Sequence, residues 1–109
     1  MTRGDALRLA DMADACREVA AIVEPGRESF VADAVSIRAV ERLLEIIGEA
    51  ANALTEPTRN RYPEVNWPDL ARLRILLAHH YHRVDPAQLW VMASVEVPRL
   101  AVAIEAGTT

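Results

Sequence analysis

The sequence predicts an all-α fold, an up-down antiparallel bundle of four to five helices in a single domain over residues 1–109. Two observations carry that expectation. Apolar residues recur at three- and four-residue steps through most of the chain, whereas no alternating run is long enough to propose a strand. Capping and breaking residues then interrupt the pattern so that only short connectors remain, and short connectors make neighbouring helices antiparallel. Apolar residues form 51% of the 109 and charged residues 26%, which supplies a core and argues against a disordered tail.

The first stripe is Leu9, Met12, Cys16, Val19 and Val23, and it stops at the breaker pair Pro25-Gly26. Cys16 lies inside the stripe and reads as a small buried hydrophobe. As the single cysteine it cannot form an intrachain disulfide or a zinc knuckle. The second stripe is Val40, Leu44, Ile47, Ala51 and Leu54, with Ser29, Asp33 or Ser36 available to cap its start and an end near Glu56-Pro57. Arg59 to Asn66 reads as a connector. Asn66, with Pro68 in the first turn and Asp69 three residues on, opens a third helix through Leu70, Leu73, Leu76 and Leu77 to about His82. Asp85-Pro86-Ala87-Gln88 then reads as cap, first-turn proline and capping-box partner of a fourth helix. That helix carries Leu89, Met92, Leu100 and Ile104, with a kink expected at Pro98. Trp67 and Trp90 sit beside apolar stripes and read as packing residues.

Composition also narrows function. Aromatic residues are 5%, too few for a base-stacking platform, and a net charge of -4 gives no global attraction to nucleic acid. No stretch approaches ~20 apolar residues without a charge, and Met1 to Asp5 lacks a signal-like apolar segment, so the sequence is read as cytoplasmic. Every basic residue is arginine, which genome composition explains. Their distribution says more: Arg59, Arg61, Arg72, Arg74 and Arg83 face only Glu64 and Asp69 within 59–83, and all three histidines lie there too. The rest of the chain is acidic.

The chemistry therefore concentrates in Arg72-Leu-Arg74-Ile-Leu-Leu-Ala-His79-His80-Tyr81-His82-Arg83. Imidazole takes and returns protons near neutrality, and guanidinium offers a donor fork that fits a phosphate or a phosphorane. One base and one charge stabiliser suffice for metal-independent RNA cleavage by the 2′-hydroxyl. On residue types alone, the same cluster also fits exposed arginines and histidines interacting with a helix C-terminus. Arg74 and His79 are five positions apart, about 140° around an ideal helix, so a shared site calls for arginine's reach, a frayed helix end or a second subunit across a two-fold interface. His79, His82 and Asp85 lack the ligand arrangement of a metal site, and no metal or cofactor is expected. On the second helix, Gly48 can admit a close neighbour, and Glu49 reads either as an acid that pairs with an arginine or orients a histidine, or as a solvent-facing carboxylate.

Ile46-Ile47-Gly48-Glu49-Ala50, Tyr62-Pro63-Glu64-x-x-Trp67, Arg74-x4-His79-x-Tyr81, Val84-Asp85 and Leu89-Trp90 follow one another in an order and spacing that resembles the HepT-like branch of the HEPN superfamily. The resemblance runs from about Leu9 to Ile104. It implies a helical ribonuclease toxin of a type VII toxin–antitoxin pair, homodimeric, with its RNase site at the subunit interface. In the matching motif Arg74 and His79 are the catalytic pair, and Arg72, His80, Tyr81 and Arg83 would line the RNA-binding groove. Tyr81 corresponds to the tyrosine that a minimal nucleotidyltransferase antitoxin (MntA-like) can AMPylate. Ile75 stands where the family usually has a polar residue, and His80 where glycine is common. Ile75 keeps a rival in view, a non-catalytic subunit that helps a nucleotidyltransferase hold its substrate. A purely structural dimerisation bundle is the other.

Overall fold

The structure, a computed structural model, describes residues 1–78 and 85–108, apart from the side chains at 74, 76, 78 and 108. Those residues are all helix, turn or coil, with no strand among them. The all-helical reading is borne out.

Local chemistry explains most of the boundaries. Thr2 caps α1 (Arg3–Val23), its Oγ1 accepting the Asp5 N–H at 2.9 Å. The helix gives way after Val23, and Gly26 takes φ +108°, a backbone conformation that a side chain would oppose. Asp33 is the residue that opens α3 (Ala34–Ala53). Its carboxylate accepts from the Val35 N–H at 3.1 Å and from Ser36 Oγ at 2.7 Å. These bonds, the Ser36 hydroxyl foremost, hold its carboxyl below the ordinary value. Asn66 opens α5 (Trp67–Ala78) by accepting the Asp69 N–H at 3.2 Å. Asp85 opens α6 (Pro86–Val91), though its carboxylate bonds the Ala87 N–H at 3.1 Å, two residues on, and not the third residue of a capping box.

Two short helices lie where sequence periodicity has nothing to register. In α2 (Arg27–Ala32) Phe30 is the only buried residue, and α4 (Glu56–Arg59) is a single turn that begins on Glu56-Pro57. The irregularity expected at Pro98 falls just before it, as a π turn (Met92–Glu96) that joins α6 to α7 (Val97–Thr108). There the Val97 N–H reaches back five residues to the Met92 carbonyl. Pro98 has no N–H to continue the ladder, and Ser94 Oγ donates to the Trp90 carbonyl at 2.6 Å in the same stretch.

The bundle is organised around α3, which packs along α1 on one side and α5 on another; α1 also meets α7, and α6 meets α2 and α3. The core is apolar and continuous, with Met12, Val19, Val40, Leu44, Ile47, Leu77 and Leu89 essentially without exposure. The tryptophans pack as expected. Trp90 tilts against Phe30 with ring centroids 5.8 Å apart; Trp67 stands edge-on to the buried Tyr62 at 6.3 Å and donates from Nε1 to the Arg59 carbonyl at 3.0 Å. Gly107 lets the end of α7 close over that ring, since a β-carbon there would come within 2.3 Å of Tyr62 Cδ1. By length and composition Pro86–Gly107 is apolar enough to cross a membrane. It carries Glu96, Arg99 and Glu105, however, and turns Leu89, Ala93, Val97, Leu100 and Ile104 into the core.

A polar clasp ties the two ends of this arrangement. Asp5 has no exposed surface, and its carboxylate accepts from Thr55 Oγ1 at 2.5 Å, Thr58 Oγ1 at 2.6 Å and the Thr55 N–H at 3.1 Å. The start of α1 is thereby fastened to the α3–α4 junction. Cys16 is buried in the α1 stripe, as its position predicts, and burial pushes its thiol up to about 11. In the folded protein it should resist alkylation by iodoacetamide at pH 8 and react at the rate of a free thiol only in denaturant. Rapid labelling of native protein would show that α1 does not sit as described.

Candidate active site

The basic segment grows out of α5, and α5 owes its position to α3. Leu70 and Leu73 share a groove of about 350 Å³ with Leu44 and Ile47 of α3 and with Met92 and Leu100 of the C-terminal helix. Leu77, in the last turn of α5, is buried in the core as well. The Arg-x4-His-x-Tyr motif begins near the end of α5, at Arg74.

Of the residues read as functional from the sequence, Arg72 is exposed on α5 and ion-paired with Asp69 one turn earlier. Ile75 is 51% exposed beside Arg74, an apolar side chain facing water at the start of the motif. The backbone of Arg74 belongs to α5, at the register position shared with Leu70 and Leu77 four residues before and three after. The Arg74 side chain, and all of His79, His80, Tyr81, His82 and Arg83, lie outside the described residues. The expected extension of the helix to about His82 lies there too. Among the described residues no group of His, Cys, Asp or Glu is placed to hold a metal ion.

On α3, Gly48 is buried and Glu49 is exposed, in the position of a solvent-facing carboxylate. The buried acid of this helix is instead Glu41, which sequence reading passed over. Its residue surface is 6% exposed, Oε1 lies 3.4 Å from Arg38 Nη1, and Oε2 is buried with no hydrogen-bond partner. The only sequence signal was its place between the stripe residues Val40 and Leu44, one turn before the latter.

In sequence, α5 runs on into a stretch rich in arginine and histidine, which makes this a small all-helical protein with a basic segment following one core helix. Comparison with known proteins makes it specific. The sequence matches the ribonuclease HepT-like family over residues 12–106, and the chain belongs to that family. A protein of Methanocaldococcus jannaschii that bears an RNase name is 41% identical over 71 residues, covering 65% of this chain and 59% of the relative. A protein of Thermococcus cleftensis named as a ribonuclease HepT is 38% identical over 73 residues, 67% of this chain and 66% of its own length. One from Caldanaerobacter subterraneus subsp. tengcongensis, also with an RNase name, is 40% identical over 73 residues, with 67% and 65% covered. The chain thus spans about three fifths to two thirds of these relatives. No solved structure matches.

Proposed function

We propose that this chain is a metal-independent endoribonuclease acting as the toxin of a toxin–antitoxin pair. The observation that carries the proposal is membership of the HepT-like ribonuclease family over nearly the whole chain, together with an Arg-x4-His-x-Tyr motif leading out of α5. His79 serves as the base that takes the 2′-hydroxyl proton. The 2′-oxygen then bonds to the adjacent phosphorus, the bond to the 5′-oxygen breaks, and that oxygen leaves with a proton returned to it. Arg74 carries the charge of the phosphorane between these events. The products are a 2′,3′-cyclic phosphate and a 5′-hydroxyl. Arg72, His80, Tyr81 and Arg83 line the RNA path.

The active form is a homodimer. It brings the Arg74 and His79 positions of two chains to a single interface, and the exposed Ile75 gives that end of α5 an apolar contact to bury. The cognate partner is a minimal nucleotidyltransferase of the MntA kind. AMPylation of Tyr81 would set a bulky anion beside the arginines and block RNA by size and repulsion. Cleavage of RNA in EDTA by the wild-type chain, lost on replacing Arg74 or His79, tests the nuclease reading.

Ile75 also favours a second reading, because the family position beside the arginine is usually polar. In that reading the chain is a non-catalytic subunit that holds substrate for a nucleotidyltransferase. It predicts no RNA cleavage by the chain alone, and a stable heteromer that transfers nucleotides to a third molecule.

A further inference from the structure

The groove beside α5 is apolar, open and larger than packing alone requires. α5 packs along α3, α7 packs along α1, and the groove lies between α5 and α7 over the buried Leu44 and Ile47 of α3. Leu70, Leu73 and Met92 line it while only half-buried, so their outward surfaces have no cover within the bundle. An apolar cavity of about 150 Å³ holds one benzene. At about 350 Å³, this groove accommodates two side chains of leucine or phenylalanine size. Two such side chains, three or four residues apart, are what one face of a helix presents to a groove. The π turn adds a second indication. Its first and last residues, Met92 and Glu96, both line the groove, and π turns are rare features that recur where a helix is shaped for function.

Charge at the mouth selects the occupant. Glu64, Asp69 and Glu96 line it, with Arg99 as the one cation among the lining residues. Asp69 is paired with Arg72 and Glu96 with Arg99, but both are exposed pairs one turn apart, which contribute little and exchange readily. Glu64 is exposed and has no ion pair among the described residues. Three carboxylates thus face two guanidiniums, and the excess charge is at Glu64. The chain's net charge of -4 acts in the same direction at longer range. An acidic partner would meet like charge here, and a basic one opposite charge.

We propose that this groove is the docking site for a basic amphipathic helix of a partner protein. The helix inserts two large apolar side chains between α5 and α7 and sets an arginine or lysine against Glu64. The proposal uses no residue of the segment from Arg74 to Arg83, so it stands or falls apart from the ribonuclease reading.

The test is binding of labelled synthetic peptides to the full chain, each of about 15 residues on an alanine-rich helical frame. One carries two leucines four residues apart with flanking arginines. A second has glutamates in place of the arginines, and a third has alanines in place of the leucines. The first should bind at least about tenfold more tightly than either of the others, and less tightly as salt is raised. Its amide NMR footprint should fall on Glu64, Leu70, Leu73, Met92 and Leu100. Glu64→Gln should weaken it about two- to fivefold with the thermal midpoint unchanged. Ala103→Trp, which fills the groove from a half-buried lining position, should abolish it. Glu64→Gln is a surface change and keeps the test decisive should Ala103→Trp fail to fold. Absence of binding, equal binding of the arginine and glutamate peptides, or a footprint on another face overturns the proposal. So does decylammonium bound in the groove as tightly as the peptide, which would make the occupant a small amphiphilic cation. Concentration-dependent self-association with the same footprint would make it a second copy of this chain and overturns the proposal equally.

Discussion

Replacing His79 or Arg74 by alanine is expected to lower RNA cleavage in EDTA by about 10²- to 10⁴-fold, the range typical of removing a general base or a transition-state charge stabiliser. At 1.36 kcal/mol per decade, that corresponds to roughly 3–5 kcal/mol of lost transition-state stabilisation. The two substitutions should not add: once the proton acceptor is gone, an aligned guanidinium has little left to stabilise, so the double variant should fall close to the worse single one. Thermal midpoints should stay near wild type for His79→Ala, and wild-type RNA should end in a 2′,3′-cyclic phosphate or the 3′-phosphate derived from it. Equal cleavage by all three proteins would mean that the activity comes from a contaminant and would remove both residues from the site. Slower cleavage with unchanged RNA affinity would separate a chemical role from a binding one; Arg72, exposed and already paired with Asp69, should show the opposite pattern.

How far the sequence carried the structure depends on what each element is built from. The stripes of α1 and α3 are long, regular and bounded by breakers, so Met12, Cys16, Val40, Leu44 and Ile47 could all be placed in the core from spacing alone, and they are buried. Asn66 and Asp85 were legible as helix starts because a short side-chain acceptor next to a periodic run has one common use, whereas at α3 the sequence offered Ser29, Asp33 and Ser36 alike and only the structure selects Asp33. The two short helices were not legible. Phe30 in α2 buries alone, and a single anchor has no period. The π turn was half legible: Pro98 marks a break in the hydrogen-bond ladder, but not that the chain would widen the preceding turn to accommodate it. At the site, residue chemistry pointed to the Arg74–His79 segment, and the family match supports that segment without testing its individual residues. What spacing could not show is which acid on α3 is hidden. Glu41 and Glu49 are both acids among apolar neighbours, eight positions apart, and only the packing of α3 separates the buried one from the exposed one.

Asp5 is the other position where burial, not spacing, decides the role, and there the consequence is stability. Two hydroxyls and a backbone N–H from Thr55 and Thr58 converge on one carboxylate that solvent does not reach. The Thr55 hydroxyl bond is the largest cause, with the Thr58 hydroxyl next, and together they outweigh the opposing effect of burial and hold the carboxyl down at about 2. Its ordinary value in the unfolded chain is 3.8. A carboxyl depressed by folding stabilises the native state above its unfolded value, and that contribution is lost as pH falls toward its folded value. The clasp should therefore act in full at pH 5 and above and fade between about pH 4 and pH 2. Asp5→Ala removes every acceptor at once and leaves the Thr55 N–H and both hydroxyls facing an apolar gap. The thermal midpoint at pH 7 should drop by about 5–10 °C, large for a domain of this size. The diagnostic feature is the pH dependence: the gap between wild type and Asp5→Ala should narrow steadily as pH is taken from 4 toward 2. Thr58→Val, which keeps the shape but withdraws one hydroxyl, should raise the Asp5 pKa and move that narrowing to higher pH. A constant gap across the whole range would mean that Asp5 contributes through packing alone, and that the start of α1 is not fastened to the α3–α4 junction by its charge.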